Sequence, residues 1–174
     1  MAEYQRVTHE FEPVWREDSA VLILGTMPSV KSRENGFYYG HPQNRFWRVM
    51  AGVLSCEPPA DVPAKKEMLL QNRIALWDVL QSCEIVGSGD ASIRSETPND
   101  LTLLLKAAPV RAIFTNGRKA ESLYRRFCLP QTGMASVCLP STSPANASWT
   151  LEKLTEKWRQ ELEPALHMQG NKSI

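Results

Sequence analysis

The chain has 174 residues, 43% of them apolar, and a formal net charge of +1. That length suits one domain, and the apolar content is too high for a disordered chain. No apolar run approaches the ~20 residues of a membrane-spanning helix, and the small net charge excludes a globally basic surface, though not a local one.

Val21-Leu22-Ile23-Leu24 is a short apolar run ending at Gly25, the pattern of a buried strand, and Gly25-Thr26-Met27-Pro28-Ser29 follows as a turn. Within residues 44–54, Phe46, Trp47, Met50 and Leu54 recur at helical spacing, and residues 64–70 form a second helical stretch with Lys and Glu on one side. Ile74-Ala75-Leu76-Trp77 is another apolar run, and Asp100 is placed to cap a helix over residues 101–107. Residues 110–115 alternate weakly as a third strand that stops at Asn116-Gly117, and residues 118–127 continue as a helix. A fourth strand spans residues 136–139. A closing helix over residues 147–162 carries Leu151, Leu154, Trp158 and Leu162 on one face.

Strands alternating with helices predict a three-layer α/β/α fold around a central four-stranded, mostly parallel sheet. Ligands in such folds bind at the carboxyl ends of the strands. Segments 25–29, 77–78, 116–117 and 140–146 each follow a predicted strand, so the fold gathers them on one edge. Without repeats or linkers, residues 1–166 read as one domain, with a frayed polar tail from His167. The opening Met1-Ala2-Glu3-Tyr4-Gln5-Arg6 lacks a signal-peptide core, so a cytoplasmic protein is expected. Cys56, Cys83, Cys128 and Cys138 are far apart, with no C-x-x-C pair and no nearby histidine. They read as reduced thiols, mostly in the core, and neither a metal nor another cofactor is expected.

The densest segment is Phe37-Tyr38-Tyr39-Gly40-His41-Pro42-Gln43-Asn44-Arg45-Phe46-Trp47. Phe46 and Trp47 read as core residues. Burial does not account for Gln43, Asn44 and the two tyrosines together, because polar groups this dense are costly to bury without partners. A second segment is Leu139-Pro140-Ser141-Thr142-Ser143-Pro144-Ala145-Asn146. It reads equally as a turn capping the last helix and as a stiff, narrow loop able to enter a DNA groove at small entropic cost.

The string Leu24-Gly25-Thr26-Met27-Pro28-Ser29, with Tyr38-Tyr39-Gly40-His41-Pro42-Gln43-Asn44-Arg45-Phe46-Trp47, resembles motif 1 of the hypoxanthine-DNA glycosylases, a branch of the uracil-DNA glycosylase superfamily. Segments 74–79, 87–90, 116–120 and 139–145 resemble that family's later motifs in the same order. Three positions depart from the wider pattern. Other branches carry Asp or Asn where this chain has Met27, and His or Asn where it has Leu139; a basic residue is also expected near Ile85. In the hypoxanthine branch the catalytic amide comes from the HP-x-N element, which maps onto Asn44.

The resemblance implies a monofunctional DNA-deoxyinosine glycosylase with DNA as its partner, acting as a monomer. Asn44 would position water and stabilise charge, and Tyr39 would stack on the flipped base. Backbone groups at Thr26 and Met27, the two-sided amide of Asn116, and Trp77 or Asp78 would meet the base edge. Ser141, Thr142, Ser143, Pro144 and Asn146 would enter the duplex, while Lys31, Ser32, Arg33, Arg45 and the loop hydroxyls would contact phosphates. His41 reads as a structural hydrogen bond in its loop. A uracil or mismatch-specific glycosylase on the same fold is the competing enzyme, and Met27 and Leu139 count against it. A nucleotide-binding module could use the Gly25 turn, but both phosphate-loop patterns are absent. A serine hydrolase built on Ser141 or Ser143 lacks the G-x-S-x-G elbow.

Overall fold

The computed structural model describes residues 3–9, 11–86 and 90–167; the side chains of Lys31 and Asp90 fall outside this set. In chain order the elements are β1 (Gln5–Thr8), β2 (Val21–Gly25), α1 (Val30–Asn35), α2 (Phe46–Leu54), α3 (Val62–Gln71), β3 (Ile74–Asp78), β4 (Leu80–Ile85), β5 (Arg94–Pro98), α4 (Thr102–Ala107), β6 (Ala112–Asn116), α5 (Arg118–Leu123), α6 (Leu129–Thr132), β7 (Ser136–Leu139) and α7 (Leu151–His167).

The four apolar runs form one all-parallel sheet in the order β3-β2-β6-β7. Alternate side chains point to opposite faces of a strand. Val21, Ile23, Ile74, Leu76, Phe114 and Leu139 therefore share one core with Phe46 and Met50 of α2, Leu69 of α3, and Leu154, Trp158 and Leu162 of α7. Leu22, Leu24, Ala75 and Ile113 enter the other core, with Leu104 of α4 and Leu123 of α5. Both faces are covered, which is why these strands read as continuous apolar runs. Leu22, Ile23 and Leu24 are wholly inaccessible, and each such side chain stabilises the fold by about 1.5–3 kcal/mol.

A second sheet was not expected. Strands β1, β4 and β5 pair antiparallel in the order β1-β4-β5 and bring Val7, Leu80, Cys83 and Ile85 into the second core. The flanking strands β1 and β5 are largely exposed, so they carry few apolar residues and lack a strong pattern. Helix α1 was also unforeseen. Ser29 Oγ accepts from the Ser32 N–H at 3.1 Å to start it, and Gly36 ends it at φ 74°.

The closing helix starts at Leu151 rather than residue 147 and runs through His167, so His167 is not frayed. The rest of the expected tail, residues 168–174, lies outside the described residues, as do residues 87–89 of one family motif. The cysteines divide evenly rather than lying mostly in the core. Cys83 and Cys128 are buried, Cys56 and Cys138 are exposed, and all four are free thiols.

Candidate active site

Register places the strand ends side by side. Gly25 pairs with Asp78, and Asn116 with Leu139, at the carboxyl rim of the parallel sheet. Immediately beyond β3 the chain turns back, with Val79 N–H donating to Gly25 O at 2.8 Å and Leu80 N–H to Thr26 O at 3.1 Å. The rim encloses a cavity of about 140 Å³, lined by residues 25–29, Ser32, Tyr38, Tyr39, Asn44, Asp78, Ile85, Asn116 and residues 141–143. Pockets for drug-sized ligands run to roughly 300–1,000 Å³, so this one suits a single flat heterocycle.

A directional hydrogen-bond relay crosses the cavity wall. Thr142 N–H donates to Asn116 Oδ1 at 3.0 Å, and Asn116 Nδ2 donates to Thr142 Oγ1 at 3.0 Å. Thr142 Oγ1 in turn donates to Asn44 Oδ1 at 2.9 Å, and Phe46 N–H donates to the same oxygen at 2.9 Å. Backbone N–H groups can only donate, so the two ends of the relay fix which way both amides face. Both lone pairs of Asn44 Oδ1 are occupied, which leaves its N–H groups as the chemistry it can offer the cavity. Asn116 is engaged at both ends and retains one N–H and one lone pair for a ligand.

Arg45 organises the loop that follows β7. Its guanidinium donates to the carbonyls of Trp149, Ser143 (2.9 Å) and Asn146 (3.1 Å), and its own N–H donates to Thr142 O at 3.1 Å. Asn146 Nδ2 closes the loop on Ser141 O at 3.0 Å. Pro144 and Ala145 stand exposed at its tip. The Tyr39 ring stacks on Phe46, with centroids 4.1 Å apart and an interplanar angle of 22°. Tyr38 is pinned by its hydroxyl donating to Glu12 O at 2.8 Å, and its ionisation is pushed far up, first by burial and then by the Asp78 charge.

The structure brings together Thr26, Met27, Tyr39, Asn44, Asp78, Asn116, Ser141, Thr142 and Ser143 around one cavity. Several expectations are corrected. Trp77 does not line it; the ring packs at the margin of both cores. Thr142 is fully buried, so it braces the two amides instead of meeting a phosphate. Ser32, 2% exposed, accepts from Gly40 N–H at 2.9 Å and belongs to the turn. Arg45 is committed to loop carbonyls. Arg33 is half-buried, with its Nε donating to Ser29 O at 3.4 Å, and the Lys31 side chain lies outside the described residues. His41 Nδ1 accepts from Gln43 N–H at 3.1 Å, a structural bond as expected. Among the described residues no cluster of three or more His, Cys, Asp or Glu could hold a metal.

Two features escaped the sequence. Gly25 is required by close approach: a Cβ there would lie 2.4 Å from Asp78 Oδ1 and 2.7 Å from the Tyr39 hydroxyl. His9 reaches Asp78 across 69 residues of chain, a pairing for which no local pattern exists.

Residues 13–167 match the sequence model of the uracil DNA glycosylase superfamily, and this chain belongs to that superfamily. Two curated relatives are each named hypoxanthine DNA glycosylase. One, from Methanosarcina acetivorans, is 37% identical over 152 residues, covering 84% of this chain and 92% of the relative. The other, from Methanosarcina barkeri, is 34% identical over 112 residues, covering 63% and 71%. The fold is also similar to the solution NMR structure of a Methanosarcina acetivorans protein provisionally named a uracil DNA glycosylase. The TM-score is 0.79 at 33% identity, with 94% of this chain and all of that one covered.

Proposed function

We propose that this chain is a monofunctional DNA glycosylase that rotates a deaminated base, hypoxanthine foremost, out of the duplex and hydrolyses its N-glycosidic bond. The product is an abasic site for base excision repair. The observation that carries this reading is that the Tyr39 ring and the Asn44 amide border one small cavity at the carboxyl rim of a superfamily fold. The enzyme acts as a cytoplasmic monomer on DNA.

Cleavage passes through an oxocarbenium-like sugar while negative charge grows on the departing base. A neutral amide is a poor proton acceptor, and Asn44 Oδ1 is already saturated. Asn44 therefore works as a donor, holding the attacking water or the anionic base by preorganised polarity. Phe46 backs one face of Tyr39, and an extruded base stacks on the other. Deamination turns a ring nitrogen from acceptor into N–H donor, and the acceptor-only Asp78 carboxylate suits that change. The preformed loop with Pro144 at its tip fills the space left in the duplex. Water rather than an amine attacks, and no strand cleavage follows.

Alkali-revealed cleavage of duplexes carrying inosine, xanthine, uracil or a G·T mismatch tests this reading. Inosine should be cut fastest. Asn44→Ala should lower the single-turnover rate by about 10²–10⁴-fold, the scale for removing one such group. Wild-type rates in that variant would sink the mechanism.

A further inference from the structure

Behind Asp78 lies a histidine that does not itself line the cavity. His9 Nε2 is 2.8 Å from Asp78 Oδ2, and the two side chains are only 2% and 5% exposed. The Phe11 backbone N–H lies 3.2 Å from Nδ1. That group can only donate, so Nδ1 is the acceptor, and the proton of the neutral ring resides on Nε2 and is donated to Oδ2. Phe11 packs edge-on against the imidazole, with centroids 5.6 Å apart, and Tyr38 lies tilted beside it at 5.7 Å. The His9 backbone N–H donates to Gln81 O at 2.6 Å, which ties this segment to β4.

Asp78 is held from its main chain too, where the Asn99 amide donates to its carbonyl at 2.9 Å. With Oδ2 taken by His9, Oδ1 is the oxygen left against the Gly25 wall of the cavity. A carboxylate free to rotate would present either oxygen in several orientations. One clamped at Oδ2 presents a single acceptor in a single direction.

We infer that His9 is a positioning residue that fixes Asp78 with Oδ1 turned toward the cavity, as the acceptor for the ring N–H that deamination creates. The inference rests on the glycosylase reading above. Hypoxanthine offers N1–H and uracil offers N3–H, whereas adenine and cytosine offer a lone pair there. A lone pair facing the carboxylate leaves both groups unpaired, and sites built around one hydrogen bond reject the analogue that lacks it.

The test is single-turnover excision from an inosine duplex by the full chain, with thermal unfolding of each variant. His9→Leu should lose about 10–100-fold, the scale for removing an outer hydrogen-bond partner of a functional group. His9→Gln, which keeps an N–H donor where Nε2 stood, should recover most of that loss. In Asp78→Asn the Nε2 proton selects the amide oxygen and turns Nδ2 to the cavity, a donor where an acceptor is needed, so its loss should be the larger. The double variant should then be no slower than Asp78→Asn alone. Multiplying losses would overturn the inference, as would wild-type rates in His9→Leu or a folded His9→Gln without recovery. Should His9→Leu unfold, His9→Gln must outpace His9→Asn, whose donor sits at the wrong ring position; equal rates would overturn the inference. An inert wild type on every damaged duplex would remove the glycosylase reading itself. An active wild type matched by His9→Leu removes only the role of His9.

Discussion

Thr142 is one hydroxyl doing two jobs: it accepts from Asn116 and donates to Asn44. Thr142→Val keeps the shape and deletes both bonds. Two half-buried amides then each lose one of their partners, at about 0.5–1.5 kcal/mol for each hydrogen bond lost. The expected result is a lower melting temperature and slower inosine excision, while Thr142→Ser should keep both near wild type. Equal rates for Val and Ser would break the relay argument. Gly25→Ala should be worse for activity than for folding, because the added methyl points at Asp78 Oδ1 and the Tyr39 hydroxyl. Excision kinetics beside thermal melts separate those effects. At this scale the sequence shows which residue types meet, since Asn44, Tyr39, Asp78 and Asn116 all follow strand ends or sit in the dense aromatic loop. It conceals how they bond. Thr142 and Arg45 look like phosphate ligands until tertiary approach supplies them with amide and carbonyl partners, and His9 has no neighbour in sequence that hints at Asp78.

Among the elements, the four parallel strands are legible because burial on both faces demands unbroken apolar runs. The antiparallel strands are not, because β5 is largely solvated and β1 contributes only Val7 to the core. The helix expected over residues 118–127 continues through a π-helical turn, Tyr124–Cys128, into α6. Pro130 cannot donate to the carbonyl four residues back, and a widened turn before it relieves the clash. Strands β6 and β7 are joined to α5 by Glu121, whose carboxylate accepts from Thr115 (2.5 Å), Ser136 (2.7 Å) and Arg125 (2.8 Å). Burial pushes its ionisation up, but these bonds outweigh burial and hold it below the ordinary glutamate value. A depressed folded value means the stability is present above the unfolded pKa and is lost as pH falls through the folded one. Glu121→Gln should therefore melt lower than wild type at neutral pH, with the gap closing in acid. A gap that persists unchanged as the pH falls well below about 4, the unperturbed glutamate range, would contradict this.

For the whole molecule, net charge and rim geometry set how DNA is held. With Arg45 occupied, the phosphate ligands left from those the sequence suggested are few, chiefly Arg33 and Lys31. The salt dependence of duplex affinity should accordingly be shallow but finite, a log–log slope between about −2 and −4. A slope near zero would exclude a phosphate footprint, and a much steeper one would require cationic groups from elsewhere on the surface. Asn44, Arg45 and Phe46 are consecutive: one turns its amide to the cavity wall, the next grips the carbonyls of the protruding loop, and the third supports the Tyr39 ring. The three-residue stretch contains no glycine and ties the exposed loop to the cavity wall. On the proposed mechanism, a base pair that presses on Pro144 presses through the same contacts on the cavity. Trimming that prolyl tip should then slow the chemical step itself, visible in single-turnover rates at saturating enzyme, and not merely weaken the grip on the duplex.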